Sequence, residues 1–204
     1  MRQTDEPIPF GPIHNGEGTY YVEADGSGNC SFDPTPDDLM VAAANDVDYA
    51  NSALCGAYAA VTGPKGSVVV RIVDRCPGCA AGDLDFSPEA FARIADLSQG
   101  RVPISWQLVS PVLEGSIVYH FKDGSSQWWT AVQIRHHRNP IAKFEYWTGS
   151  AFQEVPRYQY NYFVEVGGMG DGPYTFRVTD VFGHQIVDSN VPLLNDAEFA
   201  GQSQ

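Results

Sequence analysis

Basic residues are scarce in this sequence. The 204 residues include 12 Lys and Arg against 25 Asp and Glu, which gives a formal net charge of −13. Nucleic acids and acidic polysaccharides carry negative charge along their whole length, so a chain with this balance is poorly suited to either. The composition therefore argues against a nucleic-acid partner and is compatible with a neutral ligand such as a neutral polysaccharide.

Long apolar runs are also missing. The longest runs are of strand length, whereas a transmembrane helix needs about 20 apolar residues, so we expect no membrane span. The opening MRQTDEPIPF has one Arg but lacks the apolar stretch of a secretory signal. Two origins fit this opening, an intracellular start or a mature chain with an added Met1. The cysteines favour the second, and we expect a secreted, extracellular protein.

The four cysteines are few but even in number: Cys30, Cys55, Cys76 and Cys79. A zinc site at the CxxC of Cys76 and Cys79 would need two more ligands nearby. A thioredoxin-type CxxC needs a helix directly behind it, yet CPGCAAGD continues into a glycine-rich loop. We therefore expect disulfides formed in an oxidising compartment, with no metal site and no cofactor.

The first half of the chain mixes strands and helices. Apolar and β-branched runs predict strands, and the cap-plus-proline signals TP and SP predict helix starts. The expected elements are strands over 18–24, 67–74 and 102–109 and helices over 35–46 and 87–100.

The second half is predicted to be all β. The turn signals DGSS, RNP and TGS separate strand-like runs at intervals typical of a sandwich. The chain shows no internal repeat or low-complexity tract. A short break near Pro111 predicts two domains, residues 1–111 and residues 112–204.

Three aspartates lie between the strand over 67–74 and the helix after it: Asp74, Asp83 and Asp85. Strand ends and helix starts expose polar side chains on a rigid frame, so these carboxylates are candidates for chemistry or ligand binding. Their mutual repulsion should raise at least one pKa and provide a proton donor. The alternative is structural, with the aspartates capping turns or neutralised by Arg71 or Arg75.

These motifs resemble a known family. The segments GTYY, VVVRIVDRCPGCAAGDLDFSPEAFARIA and PISWQLV resemble the double-psi β-barrel domain of the expansin superfamily over roughly residues 14–111. The segments YHFKDGSSQWWTAVQIRHHRNPIAKFEYW and YQYNYFV resemble the carbohydrate-binding domain of bacterial expansins. The resemblance implies a mainly β fold, with a six-stranded double-psi β-barrel and short helices followed by an immunoglobulin-like β-sandwich.

The resemblance also implies a function. Expansins loosen plant cell walls by weakening contacts between cellulose and matrix glucans, without clear hydrolysis, so the chain is expected to be a wall-loosening protein rather than an enzyme. The aspartate that is indispensable in the family matches Asp85, and the strand-end aspartate matches Asp74. The family's threonine matches Thr19, with Tyr20 beside it as a sugar contact.

In the second domain, the resemblance makes Trp128, Trp129 and Tyr160 an aromatic platform for a glucan chain, with Lys122 beside it. Aromatic faces complement the C–H faces of pyranose rings. Adjacent residues of a strand point to opposite faces, so either the strand begins after the two tryptophans or a bulge lies there. We expect four other aromatics in the core or at the rim, namely Tyr146, Trp147, Tyr158 and Tyr162.

One departure from the family lies at Cys76, where many bacterial members carry a tyrosine that contacts the groove. We expect Cys76 to pair with Cys79 as a staple of the loop. Four cysteines allow three pairings. Of these we favour Cys30 with Cys55 and Cys76 with Cys79, in a monomeric protein.

Other functions remain open. Related barrels include inverting endoglucanases, whose base lies four residues after the first-strand threonine, and that position is Glu23 here. The alternatives are therefore a weak endoglucanase or a peptidoglycan-acting enzyme using Asp85 with Glu23, or a pure polysaccharide-binding module. We expect Glu23 to be an exposed loop residue, and we expect His136 and His137 to be a solvated pair rather than a metal site.

Overall fold

Residues 6–204 are described by the computed structural model and form two compact units. The first unit runs to Val112, and the second extends from Leu113 to Gln204. Residues 1–5, with the Met1 that we expect to have been added to a mature chain, lie outside the described residues. Between residues 6 and 204, no helix is both long and apolar enough to cross a membrane.

The first unit is a closed barrel of six strands. In chain order these are β1 (Ile8–Tyr20), β2 (Val41–Asn45), β3 (Tyr58–Thr62), β4 (Ser67–Cys76), β5 (Leu84–Phe86) and β6 (Val102–Ser110). Hydrogen bonds order them β1–β5–β2–β4–β3–β6, and β6 pairs back onto β1. The β1–β5 and β2–β4 pairs are parallel, and the other neighbours are antiparallel. The six-stranded barrel that the resemblance implies is confirmed.

Small and branched side chains fill the barrel. Fully buried members from four strands are Ala42, Ala44, Ala59, Val61, Val70, Ile72, Leu84 and Phe86. Burying one Val, Ile, Leu or Phe side chain contributes about 1.5–3 kcal/mol, so this core holds the surrounding strand ends and loops on a rigid frame.

The helix expected over 35–46 is wrong. The Thr35 hydroxyl donates to the Asp38 carbonyl at 2.8 Å, and the Asp38 carboxylate accepts the Met40 N–H at 3.2 Å. The polar residues that signalled a helix start therefore close a turn. Strand β2 follows, paired on both sides and buried at every position, because tertiary pairing outweighs the helix propensity of its alanines.

Two short helices flank the barrel strands. Helix α1 (Asp46–Tyr49) starts only after β2, where the Asn45 side chain accepts the Asp48 N–H. Helix α2 (Pro88–Ile94) begins as expected, with the Ser87 hydroxyl accepting the Ala90 N–H at 3.0 Å and donating to the Leu39 carbonyl. It ends earlier than expected, and a 3-10 helix over Leu97–Gln99 follows.

The second unit is a sandwich of two antiparallel sheets. Its strands are β7 (Val118–Phe121), β8 (Thr130–Arg135), β9 (Ile141–Trp147), β10 (Phe152–Glu154), β11 (Phe163–Glu165), β12 (Tyr174–Asp180), β13 (Gln185–Val191) and β14 (Ala197–Ala200). One sheet has the order β10–β9–β12–β13 and the other β11–β8–β7–β14. Rings such as Phe121, Phe144 and Phe176 form the buried core of this unit. The β-sandwich expected for the second half is confirmed.

The Ser87 cap provides a test of the barrel's local stability. Replacing Ser87 by Ala should lower the free energy of unfolding by about 1 kcal/mol, because the Ala90 N–H loses its acceptor. Denaturant titration of the barrel unit measures this loss. The exposed Ser98 in the 3-10 helix is the control, and equal effects of Ser87→Ala and Ser98→Ala would contradict the assigned cap.

Candidate functional site

A row of side chains crosses four neighbouring strands of the barrel. Thr19 on β1 is paired with Asp85 on β5, Asp85 with Ala43 on β2, and Ala43 with Asp74 on β4. Residues directly paired across strands point to the same face of a sheet. The row Thr19–Asp85–Ala43–Asp74 therefore presents a hydroxyl and two carboxylates on one face, with only a methyl group between the carboxylates.

Asp85 is half-buried and hydrogen-bonded within this row. The Thr19 hydroxyl donates to its Oδ1 at 2.5 Å. Burial raises the pKa of the Asp85 carboxyl above its usual range; the Thr19 hydrogen bond and the Arg101 charge oppose this rise, and the Asp74 charge adds to it. A raised pKa in this cluster is confirmed in direction, but burial rather than repulsion between aspartates is the largest cause.

Asp74 is held in place by the backbone of a neighbouring loop. Its Oδ1 accepts the Asn29 N–H at 2.6 Å and the Arg75 N–H at 2.8 Å. The loop approaches so closely that a Cβ on Gly28, at a φ of +154°, would overlap the Asp74 side chain. Glycine at position 28 therefore lets the loop pack against Asp74 and orient the carboxylate.

Tyr21 lies near both carboxylates. Its hydroxyl oxygen is buried and has no hydrogen-bond partner within the described part of the chain. Burial raises the pKa of Tyr21, and the charges of Asp74, Asp85 and Asp25 add to the rise in that order. The Tyr21 hydroxyl is therefore electrostatically coupled to both carboxylates of the row.

Tyr20, the expected sugar contact, packs elsewhere. Its ring lies 5.0 Å from the ring of Phe91, centroid to centroid, against helix α2. Neighbouring residues of a strand point to opposite faces, so Tyr20 lies on the face opposite to Thr19. Tyr21 follows the last residue of β1, but its N–H still donates to the Phe86 carbonyl of β5 at 3.0 Å, so the alternation reaches one residue past the strand and could have identified Tyr21 from the sequence.

Asp83 has a structural position. Its two carboxylate oxygens accept the Glu17 N–H at 2.7 Å and the Ala80 N–H at 3.0 Å, and the side chain is nearly buried. These bonds fasten the loop that leads from β4 to β5. Of the three aspartates, two lie in the row and the third anchors the connecting loop.

Glu23 lies in an exposed turn after β1. Because β1 ends at Tyr20, the alternation that would bring Glu23 to the face of Thr19 does not extend that far. Asp85 and Asp74, which both lie in the row, are therefore better candidates for an acid–base pair than Asp85 and Glu23. Asp85 and Asp74 are two strands apart, which separates their Cα atoms by about 10 Å. In an inverting glycosidase, the carboxyl groups of the acid and the base are about 6.5–9.5 Å apart.

Two disulfides join the four cysteines, Cys30 with Cys55 and Cys76 with Cys79. The first is buried in the core of the barrel unit. The second closes the beginning of the loop between Asp74 and Asp85.

In the second unit, Trp128 and Trp129 precede a strand rather than lying in one. They occupy a turn closed by a bridge between Ser126 and Trp129, and β8 begins at Thr130. Strand alternation therefore places no constraint on the two rings. Trp128 is 74% exposed, and Trp129 is half-buried.

The turn is fixed from behind by the loop after β11. The Gly170 N–H donates to the Gln127 carbonyl at 3.2 Å, and the Met169 N–H donates to the Thr130 hydroxyl at 3.1 Å. At Gly168, with a φ of +75°, a Cβ would overlap the backbone of Gln127 and Trp128. This contact holds the backbone that carries the tryptophans.

Tyr160 packs on the same cluster as Trp129, against Ala131, Tyr162 and Val164. We call Trp128, Trp129 and Tyr160 the aromatic surface. The Lys122 ammonium lies 5.5 Å from the centre of the Tyr162 ring. Among the aromatics expected in the core or at the rim, Tyr162 is buried, whereas Tyr158 and Trp147 are 39% and 44% exposed.

The two adjacent histidines are not a solvated pair. The exposed His136 hydrogen-bonds the Glu114 carbonyl through Nε2 at 2.7 Å. His137 is buried and hydrogen-bonds the Asn139 carbonyl through Nδ1 at 2.9 Å. Burial of His137 corrects the expectation from the sequence, because a bend after β8 turns its ring inward. The described residues contain no group of three or more His, Cys, Asp or Glu placed to hold a metal ion.

The Thr19 hydrogen bond predicts a measurable shift at Asp85. A hydroxyl that donates to a carboxylate favours the ionised form, so Thr19→Val should raise the pKa of Asp85 further above its usual range. Thr19→Ser keeps the donor and should leave the wild-type value. Carbon-13 NMR titration of the Asp85 carboxyl measures both, and an unchanged pKa in Thr19→Val would contradict the role of this hydrogen bond.

Comparison with known proteins identifies the family. A family model described as lytic transglycolase matches residues 14–106. Expansin-YoaJ of Bacillus subtilis (strain 168) is 35% identical over 192 residues, covering 92% of this chain and 82% of the relative. Expansin-like protein 2 of Dictyostelium discoideum is 31% identical over 180 residues, which cover 82% of this chain but only 44% of that protein.

Solved structures show the same similarity to expansins. The apo expansin of Clavibacter michiganensis superposes with a TM-score of 0.88 at 34% identity, over 94% of this chain and 97% of that one. A point mutant of the same expansin in complex with cellohexaose also gives a TM-score of 0.88, at 33% identity over 94% of this chain and 97% of that one. Together with the barrel and the sandwich described above, this similarity over nearly the whole length shows that the chain belongs to the expansin family.

Proposed function

We propose that this protein binds cellulose and associated matrix glucans and loosens plant cell walls without cutting their glucan chains. The observation that carries the proposal is the row Thr19–Asp85–Ala43–Asp74, which presents two carboxylates and a hydroxyl on one face of the barrel. The cellohexaose complex of the related Clavibacter expansin supports a glucan as the ligand class.

The aromatic surface supplies adhesion in this proposal. An exposed indole ring offers a flat, electron-rich face to the C–H groups of a pyranose ring. Trp128 is exposed, and the neighbouring Trp129 shares one packed cluster with Tyr160, so these two rings lose little conformational entropy when a sugar stacks on them. The Lys122 ammonium lies beside Tyr162 in the cluster under these rings, where it can donate hydrogen bonds to sugar hydroxyls.

The carboxylate row acts on the glucan by hydrogen bonding. Glucan chains are held to one another by hydroxyl hydrogen bonds, and a carboxyl group on a rigid frame competes for those hydroxyls. Hydrogen bonds to an ionised group are roughly twice as strong as neutral ones, so an ionised carboxylate in the row is an effective competitor. This exchange of hydrogen bonds separates chains without breaking a covalent bond.

Hydrolysis is the second candidate. The raised pKa of Asp85 suits a general acid, and Asp74, two strands away, is a second carboxylate that could act as the base. Peptidoglycan is the alternative polymer for such an enzyme, and the matching family model is described as a lytic transglycolase. A hydrolase would release soluble sugars, whereas a loosening protein would not.

The proposed setting is extracellular. Two disulfides are typical of proteins that fold in oxidising compartments, and a plant cell wall lies outside the cell. The net charge of −13 disfavours binding to acidic wall polymers and leaves neutral glucans as the partners.

The first test concerns Asp85. Asp85→Asn keeps the shape of the side chain but removes its charge and its acidity, so it should abolish the creep of heat-inactivated plant wall strips under constant load. Its binding to cellulose should equal that of the wild type, because the aromatic surface is unchanged. Full creep by Asp85→Asn would contradict the proposed role. Lack of creep by the wild type as well would direct the search to peptidoglycan.

The second test concerns adhesion. Replacing Trp128 and Trp129 by Ala should weaken cellulose binding by roughly two- to tenfold for each ring lost, at about 0.5–1.5 kcal/mol per stacking contact. Binding isotherms on cellulose at low and high salt measure this, and salt should have little effect because stacking is not an attraction between net charges. Glu114→Gln is a matched surface control. Wild-type binding by the double variant would place the adhesive surface elsewhere.

A further inference from the structure

The sandwich has a second exposed aromatic group that the proposed function does not use. It lies on the outer face of the sheet β10–β9–β12–β13, whereas the aromatic surface packs on the outer face of the sheet β11–β8–β7–β14. Trp147, at the end of β9, is 44% exposed there. An indole exposed to this extent is accessible to a ligand, although single exposed rings are common, so its surroundings decide whether it can serve as a binding surface.

Trp147 is held by its cross-strand neighbour. It is paired with Phe152 on β10, so both rings lie on the same face, with centroids 5.2 Å apart and planes inclined by 64°. Phe152 is in turn covered by the Arg177 guanidinium at 4.1 Å from its ring centre. The indole is therefore supported by Phe152, which Arg177 covers in turn, and remains partly exposed to solvent.

Charges next to these rings are balanced. Arg177 donates two hydrogen bonds to Glu145, at 2.6 and 2.7 Å, and the Lys143 ammonium lies 3.0 Å from the same carboxylate. Glu154 is paired with Glu145 across β10 and β9 and is the second carboxylate on this face. These four side chains are two cations and two carboxylates, so this face carries no net charge, whereas the whole chain has a formal net charge of −13. This balance suits a neutral ligand.

Hydroxyl groups extend the face beside the rings. The Thr175 hydroxyl donates to the Ser189 hydroxyl at 3.2 Å, which links β12 to β13. Ser189 is exposed, and its remaining hydrogen-bonding capacity is directed to solvent. A flat ring with hydroxyls and fixed charged groups beside it matches a sugar, which has apolar ring faces and hydroxyls around its edge.

We propose that this face is a second binding surface for a neutral glucan chain, with Trp147 as its stacking ring. The inference extends the proposed cellulose binding and rests on it for the ligand class. The two surfaces lie on the outer faces of opposed sheets, about 10 Å apart plus the side chains, so one straight glucan cannot cover both. Each surface therefore holds a different chain, and a single protein can bridge two of them.

The indole signals of the tryptophans test this directly. The sequence has four tryptophans, so a proton–nitrogen NMR spectrum contains four indole N–H signals, assigned by single Trp→Phe variants. Titration with cellohexaose should move the signal of Trp147 as well as those of Trp128 and Trp129. Trp106 is buried, with its indole N–H donating to the Gly82 carbonyl, and should stay in place.

The pattern separates the two proposals. A Trp147 signal that does not move while those of Trp128 and Trp129 saturate overturns the second surface and leaves the proposed function intact. A shift of the Trp147 signal without shifts of the Trp128 and Trp129 signals supports the second surface and overturns binding at the aromatic surface. If none of the three signals shifts, glucan binding at both surfaces is overturned.

Cellulose binding provides the functional test. In a Trp128→Ala, Trp129→Ala background, the further change Trp147→Ala should lower the remaining affinity about three- to tenfold. Phe182→Ala is the matched control, because Phe182 is 49% exposed in the turn after β12 and lies outside the proposed face. Loss with Trp147→Ala and not with Phe182→Ala supports the surface. Equal residual binding in the background and in Trp147→Ala overturns it.

Discussion

The parallel pairing of β1 with β5 is the constraint on which the candidate site depends. It sets Thr19 beside Asp85, and the pairing of β5 with β2 and of β2 with β4 extends the row to Ala43 and Asp74. A shift of one residue in β5 would turn Asp85 toward the core and expose a neighbouring apolar side chain. Leu84 and Phe86, buried on either side, make such a shift costly, so the core fixes the position of the carboxylate.

The same packing explains why the site is polar and yet half-buried. Asp85 cannot withdraw from its position, so it keeps a raised pKa instead of a fully solvated carboxylate. Asp74 is fixed differently, by backbone N–H groups from a loop that depends on Gly28 for its approach. One carboxylate is positioned by the barrel core and the other by a loop, and both face the same side.

Much of this was predictable from local patterns. The β-branched run of β4 and the capped start of α2 at Ser87 were predictable because their signals are local and strong. Strand β2 was predicted as a helix, since its alanines favour a helix until they are paired on both sides. Strand β5 was missed because three residues carry no usable period. The positions of Trp128 and Trp129 depended on where β8 begins, which the sequence left open between two alternatives.

The central claim is that the row acts on glucan chains without cutting them. The most direct measurement is the number of reducing ends in plant wall strips after they have been extended by the wild-type protein under constant load. The account predicts extension with no reducing ends beyond those in strips held without protein. New ends that rise with the extension, and that disappear when Asp85 or Glu23 is changed to its amide, would contradict the account and establish a hydrolase.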